Sequence, residues 1–134
     1  MAIMKKEWGF IEKILSGQKS IESRWYRNKY KPLDSIKKGE TIYFKDSGHM
    51  VAAKAEVQNV IQFVNLNVVG VKKIISEYGK DIGLGSANFL HNKKYCILIF
   101  LKNPQRIRPF KINKKGFGSM ASWIVVNNIE DIKI

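Results

Sequence analysis

The chain has 134 residues, one domain's length, and enough apolar content (45%) to bury a core without disulfides or metal. Its 24 lysines and arginines against 11 acids leave a formal charge of +13, which points to a polyanionic partner, nucleic acid ahead of an anionic membrane. The single cysteine, Cys96, excludes an internal disulfide and a cysteine-based zinc site, and its place inside the apolar run 95–101 makes it a small hydrophobe. That run is too short to cross a bilayer, and residues 1–6 lack the apolar core of a signal peptide, so the sequence predicts a cytoplasmic protein with no membrane partner.

Taken in order, Trp8, Ile11, Ile14 and Leu15 recur at helical spacing and predict an amphipathic helix over 8–16. Gly17 follows where a left-handed terminating residue is wanted. Residues 20–26 then alternate, Ile21, Ser23 and Trp25 to one side and Glu22, Arg24 and Tyr26 to the other, which predicts a strand with a functional face. A basic loop without periodicity runs over 27–38. Residues 41–44 and 50–60 predict a hairpin joined by the turn at Lys45, Asp46, Ser47 and Gly48. The alanines of its second strand, Ala53 and Ala55, predict that another element packs close. A second helix is predicted over 68–78, stopped by Gly79, followed by a loop over 81–92. Residues 95–101 predict a central strand, and 107–112, carrying Pro109, a separate short one. A basic, glycine-rich turn over 114–119 leads into a short helix over 120–123, and 129–134 closes the sheet. The sum is a single α+β domain spanning 1–134: a small curved sheet or barrel of about five to seven short strands with two or three helices.

The charge is concentrated. Residues 19–38 hold seven basic side chains against two acids, and residues 102–115 hold six against none, so 34 residues carry +11 of the +13. If the two segments share a face, they form a groove for a phosphate backbone, each neutralised phosphate steepening the salt dependence by about 0.7–0.9 log units. Trp25, Tyr26, Tyr30 and Phe117 are interleaved with these charges, an arrangement suited to single-stranded or flipped bases. The nucleic-acid-binding candidates are Lys19, Arg24, Trp25, Tyr26, Arg27, Lys29, Lys31, Lys45, Arg106, Arg108, Lys111, Lys114 and Lys115.

Lys19, Glu22 and Arg24 are the candidates for chemistry. Lys19 can anchor a phosphate, polarise a carbonyl or, if desolvated, act as a base; Arg24 is the better fork for a phosphate or oxyanion; Glu22 orients both or accepts a hydrogen bond from a base edge. Alternatively, Glu22 and Arg24 form an ion pair that only stitches strand to loop. His49 and His91 are too few and too isolated to hold a metal ion or build a triad. The 114–119 turn could cradle a phosphate with its amides but lacks the context of a nucleotide-triphosphate loop, so no cofactor is expected.

The helix, the glycine and the spacing of Gly17, Lys19, Glu22 and Arg24 resemble the signature of the ASCH domain, a PUA-like family in which a G-x-K-x-x-E-x-R pattern follows the first helix. The later order, a Gly39-Glu40 pair before the Ile42-Tyr43-Phe44 strand and a long alanine-rich strand after it, is also similar. The resemblance implies a PUA-like pseudo-barrel with a cleft beside the first helix, where Lys19, Glu22 and Arg24 project together, and a partner that is RNA or a modified nucleoside. It also implies an alternative, a hydrolase using Lys19 and Glu22, since activities in the family include ribonuclease action and removal of the acetyl group of acetylcytidine. The acetylcytidine-directed relative carries threonine where this chain has Glu22, and a later glutamate whose counterpart by position is Glu77; Asp46 and Ser47 are further candidates for the cleft.

Overall fold

The computed structural model describes residues 1–4, 9–83, 90, 92–114, 123–126 and 128–134. Its elements run β1 (Ala2–Met4), α1 (Phe10–Ser16), β2 (Ile21–Tyr26), β3 (Thr41–Asp46), β4 (Val51–Phe63), α2 (Val68–Ile82) and β5 (Tyr95–Phe110), with a 3-10 turn at Ile129–Asp131. The five strands form one mixed sheet in the order β1-β3-β4-β5-β2. Among the described residues only the β1–β3 pair is parallel.

The fold is α+β, as expected, with five strands and two α-helices among the described residues. The expected barrel is not closed: β1 and β2 remain as the two edges. All five strands nevertheless contribute to one core cluster, through Ala2 and Met4 (β1), Phe44 (β3), Ala53 and Ala55 (β4), Ile97 and Ile99 (β5) and the half-buried Tyr26 (β2). Ile11 and Ile14 of α1 and Leu33 of the basic loop cover that cluster, which is the close packing that the two alanines require. On the opposite face, α2 lays Val71, Ile74 and Ile82 against Ile21, Cys96 and Leu98.

Three departures from expectation have local causes. First, α2 runs through Gly79 to Ile82 and stops at Gly83, whose φ is 88°. Gly79 costs the helix about 1 kcal/mol relative to alanine, less than the roughly 1.5–3 kcal/mol from burying one further isoleucine, Ile82, in register with Val71, Ile74, Ile75 and Tyr78. Second, the strands expected over 95–101 and 107–112 are one strand of 16 residues. The register against β4 slips between Lys54↔Gln105 and Glu56↔Lys102, so β5 carries an extra residue there. Asn103, with φ of 50°, takes up the bulge, and Pro104 falls where the ladder needs no regular donor. Third, residues 129–134 supply a 3-10 turn and a lone bridge, Ile112↔Lys133, in place of a closing strand, while the sheet gains the unexpected β1.

The helix expected from residue 8 is observed from Phe10; Trp8 lies outside the described residues, as do His91, the 115–119 part of the glycine-rich turn with Lys115 and Phe117, and the expected helix up to residue 122. Trp123 itself forms an antiparallel bridge with Ala2, and the Ile124 N–H donates to the Met1 carbonyl at 3.0 Å. No helix among the described residues is long and apolar enough to cross a membrane.

Candidate nucleic-acid interface

The site begins at Gly17. Its φ of 86° lets the N–H close on the Ile14 carbonyl at 3.2 Å and turns the chain out of α1, a conformation that costs any side-chain-bearing residue strain. The Lys19 N–H then donates to Lys13 at 3.0 Å and the Ser20 N–H to Asp81 at 3.0 Å, so the entry to β2 is threaded between the ends of both helices.

Lys19 is therefore enclosed, with 1% exposure. Its Nζ donates to the carbonyls of Ile82 at 2.6 Å and Ile21 at 2.8 Å and lies 4.5 Å from the centre of the Phe10 ring. The ammonium caps the carbonyl end of α2, where a positive charge is favoured by the helix dipole. Burial holds its pKa below the ordinary lysine value, and the Glu22 carboxylate works against that shift. In this geometry the lysine expected to meet a phosphate spends its donors on backbone.

Glu22, Arg24 and Tyr26 share the inner side of β2, as the alternation requires. Glu22 is 3% exposed; Oε1 lies 3.5 Å from Arg24 Nε, and Oε2 has no hydrogen-bond partner among the described residues. The Arg24 side chain, 13% exposed, donates from Nη2 to the Ile3 carbonyl at 3.4 Å, bridging the two edge strands, and its guanidinium lies 5.3 Å from the Trp123 ring centre. Tyr26 donates to the Lys31 carbonyl at 3.1 Å and meets the Tyr30 ring edge-on at 5.7 Å; burial raises its pKa, and Arg24 opposes the rise.

The other candidates are dispersed. Trp25 points to the α2 side, half-buried, with Nε1 donating to Ser23 Oγ at 2.9 Å. Lys29 is exposed and pairs with Asp34 at 2.5 Å, and Asp34 is held in turn by Gln62 at the far end of β4. That pair raises the lysine pKa and lowers the aspartate one. Arg27 and Lys31 are exposed beside it. Arg106, opposite Ala53, pairs with Glu12 of α1 at 2.6 Å. Gln62, which holds Asp34, and Ala53, opposite Arg106, are nine residues apart along β4, whereas Lys102, at the start of the second basic segment, follows Leu101, whose N–H donates to the Ser20 carbonyl at 2.9 Å beside Lys19. Arg108 and Lys111 are exposed and Lys114 partly buried at that second end. Lys45, expected in an exposed turn, is instead in β3 and 5% exposed. Glu77 sits on the solvent side of α2, away from Glu22; Asp46 ends β3, its Oδ1 buried without a partner among the described residues.

A groove of about 580 Å³ opens between residues 35–43 and the segment that begins at Trp123, the residue whose ring meets the Arg24 guanidinium. Ser35, Glu40, Thr41 and Asn128 supply polar groups, while Tyr43 and Trp123 supply aromatic walls. Glu40, Tyr43, Trp123 and Asn128 of this groove are not among the residues that the sequence singles out for the site. The available signal was a tryptophan set close after a basic, glycine-rich turn. Among the described residues no group of three or more histidine, cysteine, aspartate or glutamate side chains is placed to hold a metal ion.

No family model matches the sequence, and no curated protein matches it. Solved structures do. The crystal structure of ASCH from Zymomonas mobilis superposes with a TM-score of 0.62 at 21% identity, over 82% of this chain and 71% of that one. A tyrosine-to-phenylalanine variant of the same protein gives 0.63 at 20% identity, over 82% and 73%. A hypothetical protein designated PH0355 gives 0.51 at 22% identity, over 78% and 95%.

Proposed function

We propose, from the ASCH-domain fold that this chain shares with those structures, that it is a PUA-like RNA-binding domain, one that takes an unstacked base of a single strand into the groove beside Trp123. The observation that carries this reading is the coincidence, in one groove, of two aromatic walls (Tyr43, Trp123), a guanidinium against one of them and a scatter of hydrogen-bonding groups, on a chain of charge +13. The volume suits a nucleoside-sized ligand. Ser35, from the basic loop, lines the groove, so Lys31, Lys37 and Lys38 stand close along the chain to meet the flanking phosphates. Aromatic faces accept any base, while the charges add sequence-independent affinity.

Fluorescence anisotropy with a labelled single-stranded RNA tests this directly. The affinity is expected to fall linearly on a log–log plot against salt, and a Lys37→Glu, Lys38→Glu double variant is expected to lower the slope by about 1.5 for the two lost phosphate contacts. Absent or salt-insensitive binding across a panel of RNAs would sink the proposal.

A second reading, hydrolysis of RNA or of a modified cytidine, draws support from the buried Glu22 carboxylate beside Arg24. With Lys19 Nζ committed to two carbonyls, Glu22 would be its acid–base group. Turnover of labelled RNA or acetylcytidine that disappears in Glu22→Gln would favour it; no turnover above that variant removes it.

A further inference from the structure

The described residues bury two lysines, and they are treated very differently. Lys19 has two carbonyl acceptors and an aromatic face. Lys45, 5% exposed, has neither a hydrogen bond nor an ion pair among the described residues. Its neighbours across the sheet are Ile3 in β1 and Val51 in β4, both in the apolar cluster under the C-terminal segment. A cation among such neighbours without an acceptor is disfavoured relative to water.

The nearest charges do not offset that cost. Burial first, and then the ammonium of Lys114, push the Lys45 pKa below the ordinary lysine value, and Asp46 only partly opposes them. Val51 pairs with Lys45 on one side and with Phe110, the last residue of β5, on the other, and Lys114 follows four residues after Phe110. Asp46 forms no ion pair with Lys45, and its own Oδ1 is buried without a partner among the described residues. The Lys114 charge acts unfavourably on the enclosed Lys45 ammonium, and an anion taken up by the two would relieve both the burial and the repulsion.

The position also fits the groove. Lys45 follows Tyr43 by two residues on β3, roughly 6.6 Å along the strand, and both face the cluster formed by Ile3 and Val51. That separation is of the order of the distance from a nucleobase to its phosphate. We infer that Lys45 and Lys114 form a phosphate-binding subsite next to the groove, holding the phosphate of a nucleotide whose base lies against Tyr43 and Trp123. The assignment to a nucleotide rests on the RNA reading; the phosphate site itself does not.

The test is thermal unfolding of the full chain, titrated with inorganic phosphate against chloride at matched ionic strength. Wild type is expected to gain roughly 3–7 °C at tenfold excess over Kd, the gain then rising with the logarithm of the phosphate concentration. Lys45→Met and Lys114→Met are expected to lose that gain, Lys45→Met while melting no lower than wild type without phosphate, since it removes an unpaired buried charge. Lys72→Met, on the exposed side of α2, is expected to keep it. Further arms with uridine 5′-monophosphate and with a dinucleoside phosphodiester separate a terminal phosphate from a backbone one. Stabilisation by inorganic phosphate without RNA binding would keep the subsite and discard the nucleotide. No gain in wild type beyond that given by chloride at matched ionic strength, or the wild-type response in both Lys45→Met and Lys114→Met, would overturn the inference.

Discussion

Replacing Lys19 with methionine is expected to lower the stability of the chain by roughly 2–4 kcal/mol, because two buried carbonyls lose their donor at about 1–3 kcal/mol each while the methionine retains part of the packing on Phe10. One of those carbonyls belongs to Ile82, at the end of α2, and the other to Ile21, at the start of β2, so the loss falls on the joint between the two elements. Urea unfolding at neutral pH measures it. The same experiment has a pH signature. Burial places the folded-state pKa of Lys19 below the unfolded value of 10.5, so between those two values the unfolded chain binds more protons and stability rises with pH. The contribution of Lys19 to that rise is absent in Lys19→Met. The folded variant is expected to bind RNA within about threefold of wild type, since Nζ faces backbone; ordinary stability with abolished RNA binding would return Lys19 to the substrate side.

Trp123→Ala is expected to weaken single-stranded RNA binding by roughly 10- to 100-fold, the effect of losing one stacked base at about 1–3 kcal/mol. Trp123 is tied to β1 through backbone, by the bridge to Ala2, so the substitution leaves that attachment in place. It removes both the groove wall and the ring that lies against the Arg24 guanidinium. Trp123→Phe, which keeps a π-face, is expected to retain most of the affinity. Equal losses in both variants, with unchanged melting temperatures, would argue against stacking. Anisotropy titrations of the three proteins at one salt concentration give the comparison.

The parts of the fold legible in the sequence are those set by short-range periodicity. The 3.6-residue recurrence marked α1 and most of α2, and the two-residue alternation sorted Glu22, Arg24 and Tyr26 from Ile21, Ser23 and Trp25. Breaker residues misled where tertiary packing outweighed them. Gly79 remains helical because Ile82 extends the buried stripe, and Pro109, expected to mark a separate short strand, lies inside the 16-residue β5. β1 offers only three residues, too few for any period, and is held by parallel pairing to β3 some forty positions later.

The candidate site was legible in composition and illegible in exposure. The sequence singled out Lys19, Glu22 and Arg24, yet whether Lys19 meets solvent depends on the carbonyl of Ile82, distant in the chain. The same holds for Lys45, which turn chemistry places at the surface and which is buried in β3 between β1 and β4. The groove is the least local feature of all, since the bridge between Ala2 and Trp123 joins residues from the two ends of the chain.

The central claim is that single-stranded RNA enters the groove beside Trp123. Mapping backbone amide shifts by heteronuclear NMR during titration with a short single-stranded RNA tests it most directly. Saturable shifts are expected at Ser35, Glu40, Thr41, Tyr43, Trp123 and Asn128, with Lys45 following them, and little change along the exposed side of α2 at Lys72, Lys73 and Glu77. Shifts confined to α2 or spread evenly over the charged surface, with the groove residues unmoved, would contradict it.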